Sequence, residues 1–196
     1  VIAVIPARAG SKSISGKNFR PLAGYAPVAW ITVTAKQATR LDAIYVSTDA
    51  PERANEALAP GIAGLNGGAP VGMWTRNASL ARDDTPDLPV AQDIAEGLRL
   101  KDDDLLVWLR PTAPFVRAED IDAVVALATG FDLPTASVRS VVVASEHPAK
   151  MYAETIPLTD TVKCLAPFLG RAEHRANHPR QGLSAAWWAA GYVDAM

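Results

Sequence analysis

Only one cysteine, Cys164, occurs in the 196 residues, which excludes an intramolecular disulfide framework and a zinc site built from several thiolates. A lone thiol also suits a reducing, cytoplasmic compartment. No charge of either sign dominates: 19 basic residues face 21 acidic ones, for a formal net charge of −2. That balance creates no broad positive field, so general affinity for nucleic acid is not expected. Long apolar runs are missing too. None approaches the roughly 18 to 20 residues that a helix needs to span a bilayer, so no membrane partner is expected. Val1–Pro6 is short, carries no basic side chain and leads into a loop, which is not how a secretory leader reads. Internal repeats and low-complexity tracts are also absent.

What is present is ample core material, with 49% of residues hydrophobic and 20% charged. A chain of this length buries roughly 70% of the surface exposed by its unfolded form, so it needs no covalent or metal staple. Val1–Ile5 is continuously apolar and rich in β-branched residues, the mark of a parallel strand covered on both faces. Pro27–Ala38 reads as a helix with Val28, Ile31 and Ala35 on one stripe, and Ala43–Val46 as a second strand. Pro51–Leu58 reads as a short helix with proline in its first turn. The glycine-bearing stretch after it allows at most a weak strand near Met73.

Asp84-Thr85-Pro86 marks a helix start, with Thr85 able to cap and Pro86 able to occupy the first helical position. Leu105–Leu109 is a further strand, Glu119–Thr129 a helix stopped by Gly130, and Thr135–Ala144 a longer strand. Alternating strands and helices predict an α/β fold with a doubly wound, mostly parallel sheet of the Rossmann-like kind. From Glu146 the alternation breaks down into prolines, histidines and a basic stretch, which reads as an arm. The expected division is a body over residues 1–144, an arm over 145–182 and a return to the body over 183–196. The chain starts at Val1 without an initiator Met and stops at Met196 inside an apparently ordered element, so it is expected to be part of a longer product.

In an open α/β sheet, ligands bind at the carboxyl ends of the strands. The loop after the first strand runs from Ala7 to Asn18 and carries Arg8, Lys12, Lys17, Gly10, Gly16 and three serines including Ser11. Cations, hydroxyls and glycine-freed N–H groups together are what a polyphosphate requires. Two familiar phosphate loops are excluded. Gly10 and Gly16 are separated by five residues and Lys17 is followed by Asn18, against the spacing of a P-loop, and no G-x-G-x-x-G is present in this turn.

These residues resemble those of a known family. Ile5-Pro6-Ala7-Arg8-Ala9-Gly10-Ser11-Lys12 with Gly16-Lys17-Asn18 resembles the signature loop of the acylneuraminate cytidylyltransferases, the CMP-sialic acid synthetases and their relatives. Further segments match in order: Val46-Ser47-Thr48-Asp49, then Arg76 with Leu80-Ala81 and Asp83-Asp84-Thr85-Pro86, then Arg110-Pro111-Thr112-Ala113-Pro114. His147-Pro148-Ala149-Lys150 and Pro179-Arg180-Gln181-Gly182-Leu183 complete the series.

The resemblance implies a nucleotide-diphospho-sugar transferase-like fold with a dimerisation arm. It also implies transfer of CMP from CTP, with Mg²⁺ assisting, to the anomeric hydroxyl of a 2-keto-3-deoxy sugar acid by a homodimer. Arg8 and Lys17 are then expected to carry catalysis. Ala7, Gly10, Ser11, Lys12, Asn18, Arg76, Asp84, Thr85 and Asp87 are expected around the nucleotide. Arg110, Thr112, Lys150, Arg180, Gln181 and Asp194 are expected around the anionic acceptor. Asp49 could hold a metal or orient the loop. Trp187-Trp188 could face a sugar or pack in a dimer, and His147 reads as structural.

Several residues depart from the family pattern. Ser13, Asp87 and Arg110 stand where the family has Gly, Ser and Gln, and Asp194 falls in a segment that lacks the family's Asn and final Tyr. Arg only donates hydrogen bonds and brings a full charge where Gln both donates and accepts. The departures bear on the acceptor more than on nucleotidyl transfer. A non-sugar anion such as a phosphonate, or a non-catalytic nucleotide-binding role, is the alternative. The family's metal-binding Asp-x-Asp pair is expected beyond Met196. Asp102-Asp103-Asp104 precedes a strand and reads as a solvated turn.

Overall fold

The computed structural model describes residues 1–11, 14–130, 137–157, 163–167 and 186–196. They fall into two compact units, Val1–Ser140 with Gly191–Met196, and Val141–Ala190.

The first unit is organised by strand β1 (Ile2–Pro6), whose Ala3, Val4 and Ile5 are fully buried. Its sheet holds β2 (Ala43–Thr48), β3 (Val71–Thr75), β4 (Leu106–Leu109) and parts of β5 (Val138–Val143) and β8 (Trp187–Ala195), whose remaining residues belong to the second unit, in the order β3-β2-β1-β4-β8-β5. β1, β2, β3 and β4 are mutually parallel, and β8 runs antiparallel to β4. The chain therefore moves outward from β1 to β3 and returns to place β4 on the other side of β1. That reversal opens a crevice at the carboxyl ends of β1 and β4.

Side chains alternate across the sheet, so each strand contributes to two layers. Ala3, Ile5, Ile44, Val46, Val107 and Leu109 join helices α1 (Pro27–Gln37), α2 (Pro51–Ile62) and α4 (Ala118–Gly130) in one core. Val4, Leu106 and Trp108 meet Val90, Ala91 and Ile94 of α3 (Asp87–Leu98) in the other. Burying each such Ile or Val contributes about 1.5–3 kcal/mol, and covering both faces explains why β1 and β4 read as unbroken apolar runs. Val193 and Ala195 belong to the first layer, which turns the intervening Asp194 toward the α3 side.

Three local expectations change. α2 continues to Ile62, four residues past Leu58, with Pro60 inside it. The carbonyl that Pro60 leaves without a donor belongs to exposed Glu56, where water can satisfy it, and Gly61 lets the helix close on α1. A Cβ at Gly61 would stand 3.1 Å from the Ala29 methyl, so the crossing depends on that glycine. The segment near Met73 is a full parallel edge strand, β3, in register with β2. α3 begins one residue later than expected. Pro86 is extended at the N-cap position with no side-chain cap, and the Thr85 hydroxyl is turned to the Ser79 carbonyl at 3.5 Å. Asp87 supplies the first-turn negative charge instead.

The expected strand over Thr135–Ala144 is β5; residues 135 and 136 lie outside the described residues. The second unit contains an antiparallel pair, β6 (Tyr152–Pro157) with β7 (Lys163–Pro167). Among the described residues, no helix is long and apolar enough to cross a membrane.

Candidate active site

The loop after β1 is fastened to β2 by uncharged contacts and one carboxylate. The Ala7 amide donates to the Ser47 carbonyl at 2.8 Å, and the Ala9 amide donates to Asp49 Oδ1 at 2.7 Å. Asp49 therefore orients the loop. At the far end, buried Asn18 donates from Nδ2 to the Arg8 carbonyl at 3.0 Å, closing the loop on itself. Gly16 sits at φ +60°, and a Cβ there would approach Arg53 Nη2 to 2.7 Å. Arg53 in turn stacks its guanidinium 5.0 Å above the Phe19 ring. A turn closed by Phe19 and Arg20 amides on the Gly16 carbonyl thus favours glycine for its left-handed backbone.

Arg76 extends from the end of β3. Its amide donates to the Thr48 carbonyl at 2.7 Å, and its guanidinium donates to Ser47 Oγ and the Ser47 carbonyl, both at 3.2 Å. Burial pushes the Arg76 pKa down, against the pull of Asp49 and Asp87. An arginine stays charged through such a shift, so the group is a fixed buried cation.

Arg110 ends β4, next to β1. Its Nη1 donates to Asp194 Oδ2 at 2.6 Å, and its Nη2 donates to Asp87 Oδ2 at 2.8 Å. Partial burial lowers the Arg110 pKa, but the bonds to Asp194 and Asp87 outweigh it and the net shift is upward. Asp194 is buried and also accepts from Arg139 Nε at 2.9 Å. Arg8 pairs with Asp83 at 2.5 Å. The segment leading into α3 thus gives one carboxylate to Arg8 and another to Arg110.

These elements enclose a cleft of about 210 Å³. Arg8, Lys17, Asn18, Arg76, Thr85, Asp87, Arg110 and Thr112 line it, which brings together eight residues anticipated from the sequence. Arg82, Asp83 and Trp108 also line it and were not anticipated as site residues. Asp83 lies in the Asp83-Asp84-Thr85-Pro86 segment that resembles the family, and its carboxylate there is the signal for it. Trp108 offered none, because an apolar residue inside a strand reads as core. A more apolar hollow of about 550 Å³, walled by Ile14, Pro21, Leu22 and Pro114, adjoins the cleft through Lys17, Asn18, Pro111 and Thr112.

The remaining expected residues lie elsewhere. Ala7 is buried at the end of β1, and Gly10 and Ser11 are on the loop away from the lining. The Ser11 hydroxyl is buried without a hydrogen-bond partner among the described residues. Asp84 does not join the lining: it is 76% exposed and faces Arg82 at 3.4 Å, because a solvated carboxylate beside a mobile cation gains nothing by burial. Asp194 lies beneath Arg110, and both its oxygens are taken by arginines, so it presents no oxygen to the cleft. Lys150 belongs to the second unit, on a short turn capped by His147, whose Nδ1 accepts from the Ala149 amide at 3.1 Å. Lys12, Arg180 and Gln181 lie outside the described residues.

Five cationic side chains against two carboxylates make this cleft electropositive in a chain whose net charge is −2. It suits an extended polyanion. Among the described residues, no group of three or more His, Cys, Asp or Glu could hold a metal ion, and the cleft's own Asp83 and Asp87 face Arg8 and Arg110. The described residues do not assemble a resident Mg²⁺ site.

The cytidylyltransferase family model matches residues 2–129. The CMP-N,N'-diacetyllegionaminic acid synthase of Legionella pneumophila is 37% identical over 123 residues, covering 62% of this chain and 50% of that protein. The 8-amino-3,8-dideoxy-manno-octulosonate cytidylyltransferase of Shewanella sediminis is 31% identical over 127 residues, covering 65% of this chain and 46% of its own length. The N-acylneuraminate cytidylyltransferase A of Danio rerio is 29% identical over 134 residues, 67% of this chain and 29% of that one. The chain thus spans half or less of the length of these relatives. A solved CMP:2-keto-3-deoxy-manno-octonic acid synthetase complexed with CTP shares the fold, with a TM-score of 0.62 at 18% identity over 99% of this chain and 72% of that one.

Proposed function

The chain belongs to the cytidylyltransferase family, and we propose that it joins CTP to a sialic-acid-like 2-keto-3-deoxy sugar acid, releasing pyrophosphate. The observation that carries this reading is the electropositive cleft at the β1–β4 crevice, lined by Arg8, Lys17 and Arg76. The relatives named for legionaminic, octulosonic and neuraminic acids support a sugar-acid acceptor.

In the proposed reaction the acceptor's anomeric oxygen bonds to the α-phosphorus as the bond to the β-phosphate oxygen breaks. Negative charge builds on the departing pyrophosphate. Lys17 makes no ion pair among the described residues, so its ammonium is available to meet that charge. Arg8 supports it once a phosphate competes with Asp83. Preorganised cations of this kind act where charge develops, at little cost in rearrangement. Arg76, pinned by Ser47, serves the nucleoside, and the Arg8–Asn18 closure holds the loop in shape. Thr112 and Arg110 form the acceptor end; Lys150, Arg180 and Gln181 are proposed as acceptor residues on the family resemblance alone.

A homodimer is part of the proposal. Val141, Val142, Val143 and Trp187 of the second unit are exposed apolar side chains, the kind of surface that self-association covers. A monomer by light scattering would contradict it. A phosphonate is the second candidate, because Arg110 brings a full charge where the family has Gln and an anion can replace Asp87 on its fork.

The test is pyrophosphate release from CTP with Mg²⁺ and each of N,N'-diacetyllegionaminic acid, 8-amino-3,8-dideoxy-manno-octulosonate, N-acetylneuraminate and a phosphonate. Release with one of the sugar acids is expected. Release with the phosphonate alone reassigns the acceptor, and a folded protein that binds no CTP refutes the reading.

A further inference from the structure

We propose that Arg110 is the receptor for the acceptor's carboxylate and that Asp87 holds its place until the acceptor arrives. The inference rests on the reading that this cleft joins CTP to an acid.

Arg110 has two unlike partners. On one edge, Nη1 donates to Asp194 Oδ2 at 2.6 Å, and the Asp194 side chain is only 6% exposed. The other Asp194 oxygen accepts from Arg139 Nε at 2.9 Å. A buried carboxylate satisfied by two guanidiniums stays in place, because removing either partner leaves a poorly solvated charge. On the other edge, Nη2 donates to Asp87 Oδ2 at 2.8 Å, and the Asp87 side chain is 53% exposed on the cleft wall. An ion pair that open to water is worth little, so its carboxylate exchanges readily. Arg110 is thus anchored below and exchangeable where it meets the cleft.

The chemistry of the exchange selects the ligand. The planar guanidinium fork matches a carboxylate, and an incoming one replaces Asp87 with like geometry and like charge. Asp87, released, is solvated at the first turn of α3, where the helix N-terminus favours a negative charge. A neutral ligand could not displace it without leaving half of the fork unpaired. Asp194 and Arg139 are positioning residues in this scheme: they hold Arg110 and touch no ligand.

The test is calorimetric binding of the three sugar acids to protein saturated with CMP, which permits no turnover. Loss of one charge-assisted contact in Arg110→Gln is expected to weaken the acid that wild type binds by about tenfold or more, with CMP affinity unchanged. Asp87→Asn removes the competitor and is expected to tighten the same acid about threefold or more. The gain separates a place-holder from a structural role, since a structural loss would only weaken binding. The proposal is overturned if Asp87→Asn binds the acid no tighter, if Arg110→Gln loses CMP rather than acid affinity, or if wild type binds none of the three acids. Wild-type binding of CTP, measured alongside, separates this outcome from failure of the functional reading. CTP bound with no acid response rejects only the Arg110–Asp87 assignment.

Discussion

The two ends of the cleft are held in shape by different forces. At the β1 loop the backbone is fixed by the Ala7, Ala9 and Asn18 hydrogen bonds, and Lys17 is left with its charge available. At the end of β4 the reverse holds: Arg110 is itself the structural element, anchored by Asp194 with Arg139 behind and paired on its cleft side with the exchangeable Asp87. Where uncharged groups set the geometry, cations can serve a ligand directly. Where charges set the geometry, a ligand must exchange with an internal partner. Changing a charge should therefore affect rate at the first end, and both stability and selectivity at the second.

The largest effect should come from Lys17→Ala. Removing a preorganised cation aimed at developing charge is expected to lower kcat by about 10²–10³-fold. The thermal midpoint should stay at the wild-type value, because Lys17 makes no ion pair among the described residues. Pyrophosphate release and a melting curve check both halves. A large drop in midpoint would erase the contrast between the two ends.

Asp194→Ala comes next, with the opposite signature. It leaves Arg110 and Arg139 without their shared buried carboxylate, and a loss of about 2–3 kcal/mol is expected, reduced from a fully buried pair because both guanidiniums keep solvent contact. Urea unfolding measures it. Retention of full stability would mean that the network is not structural.

The smallest effect serves as a control far from the cleft. Asp122 of α4 accepts hydrogen bonds from the Thr39 amide and hydroxyl and the Arg40 amide, at 2.9–3.0 Å, just past the end of α1. Partial burial raises its pKa, but these bonds outweigh it and hold the carboxyl below its ordinary value. A depressed folded-state pKa means that its stabilisation is present above the unfolded value, about 3.9, and fades as pH falls through the folded one. Asp122→Ala should therefore lower stability slightly at neutral pH, and the difference from wild type should vanish in acid. Catalysis at neutral pH should be unchanged.

The first end was far more legible in the sequence than the second. A buried strand running into glycines, serines and cations is a local pattern, and local patterns survive without knowledge of the fold. Parallel pairing of β1 with β2 then places Asp49 where it can hold Ala9. The second end is assembled from residues far apart in the chain. Arg110 and Asp87 are 23 positions apart, Arg110 and Asp194 are 84, and Arg139 and Asp194 are 55. Asp87 and Arg110 each looked like an isolated departure from the family pattern. Only β4 lying antiparallel to β8, with α3 above, brings them into one network. The start of α3 was misread for a related reason. Thr85 and Pro86 form a good local cap signal, but the helix starts at Asp87, whose side chain pairs with Arg110.

The crevice between β1 and β4 is proposed to receive a cytidine triphosphate through Lys17, which makes no ion pair among the described residues, and through the fixed Arg76. Isothermal titration of CTP into the protein, with Lys17→Ala beside it, tests this most directly. Saturable binding of one CTP per chain is expected, weakening as salt rises and weakening further in the variant. Folded wild-type protein that takes up no CTP, or binding that Lys17→Ala leaves untouched, would contradict it.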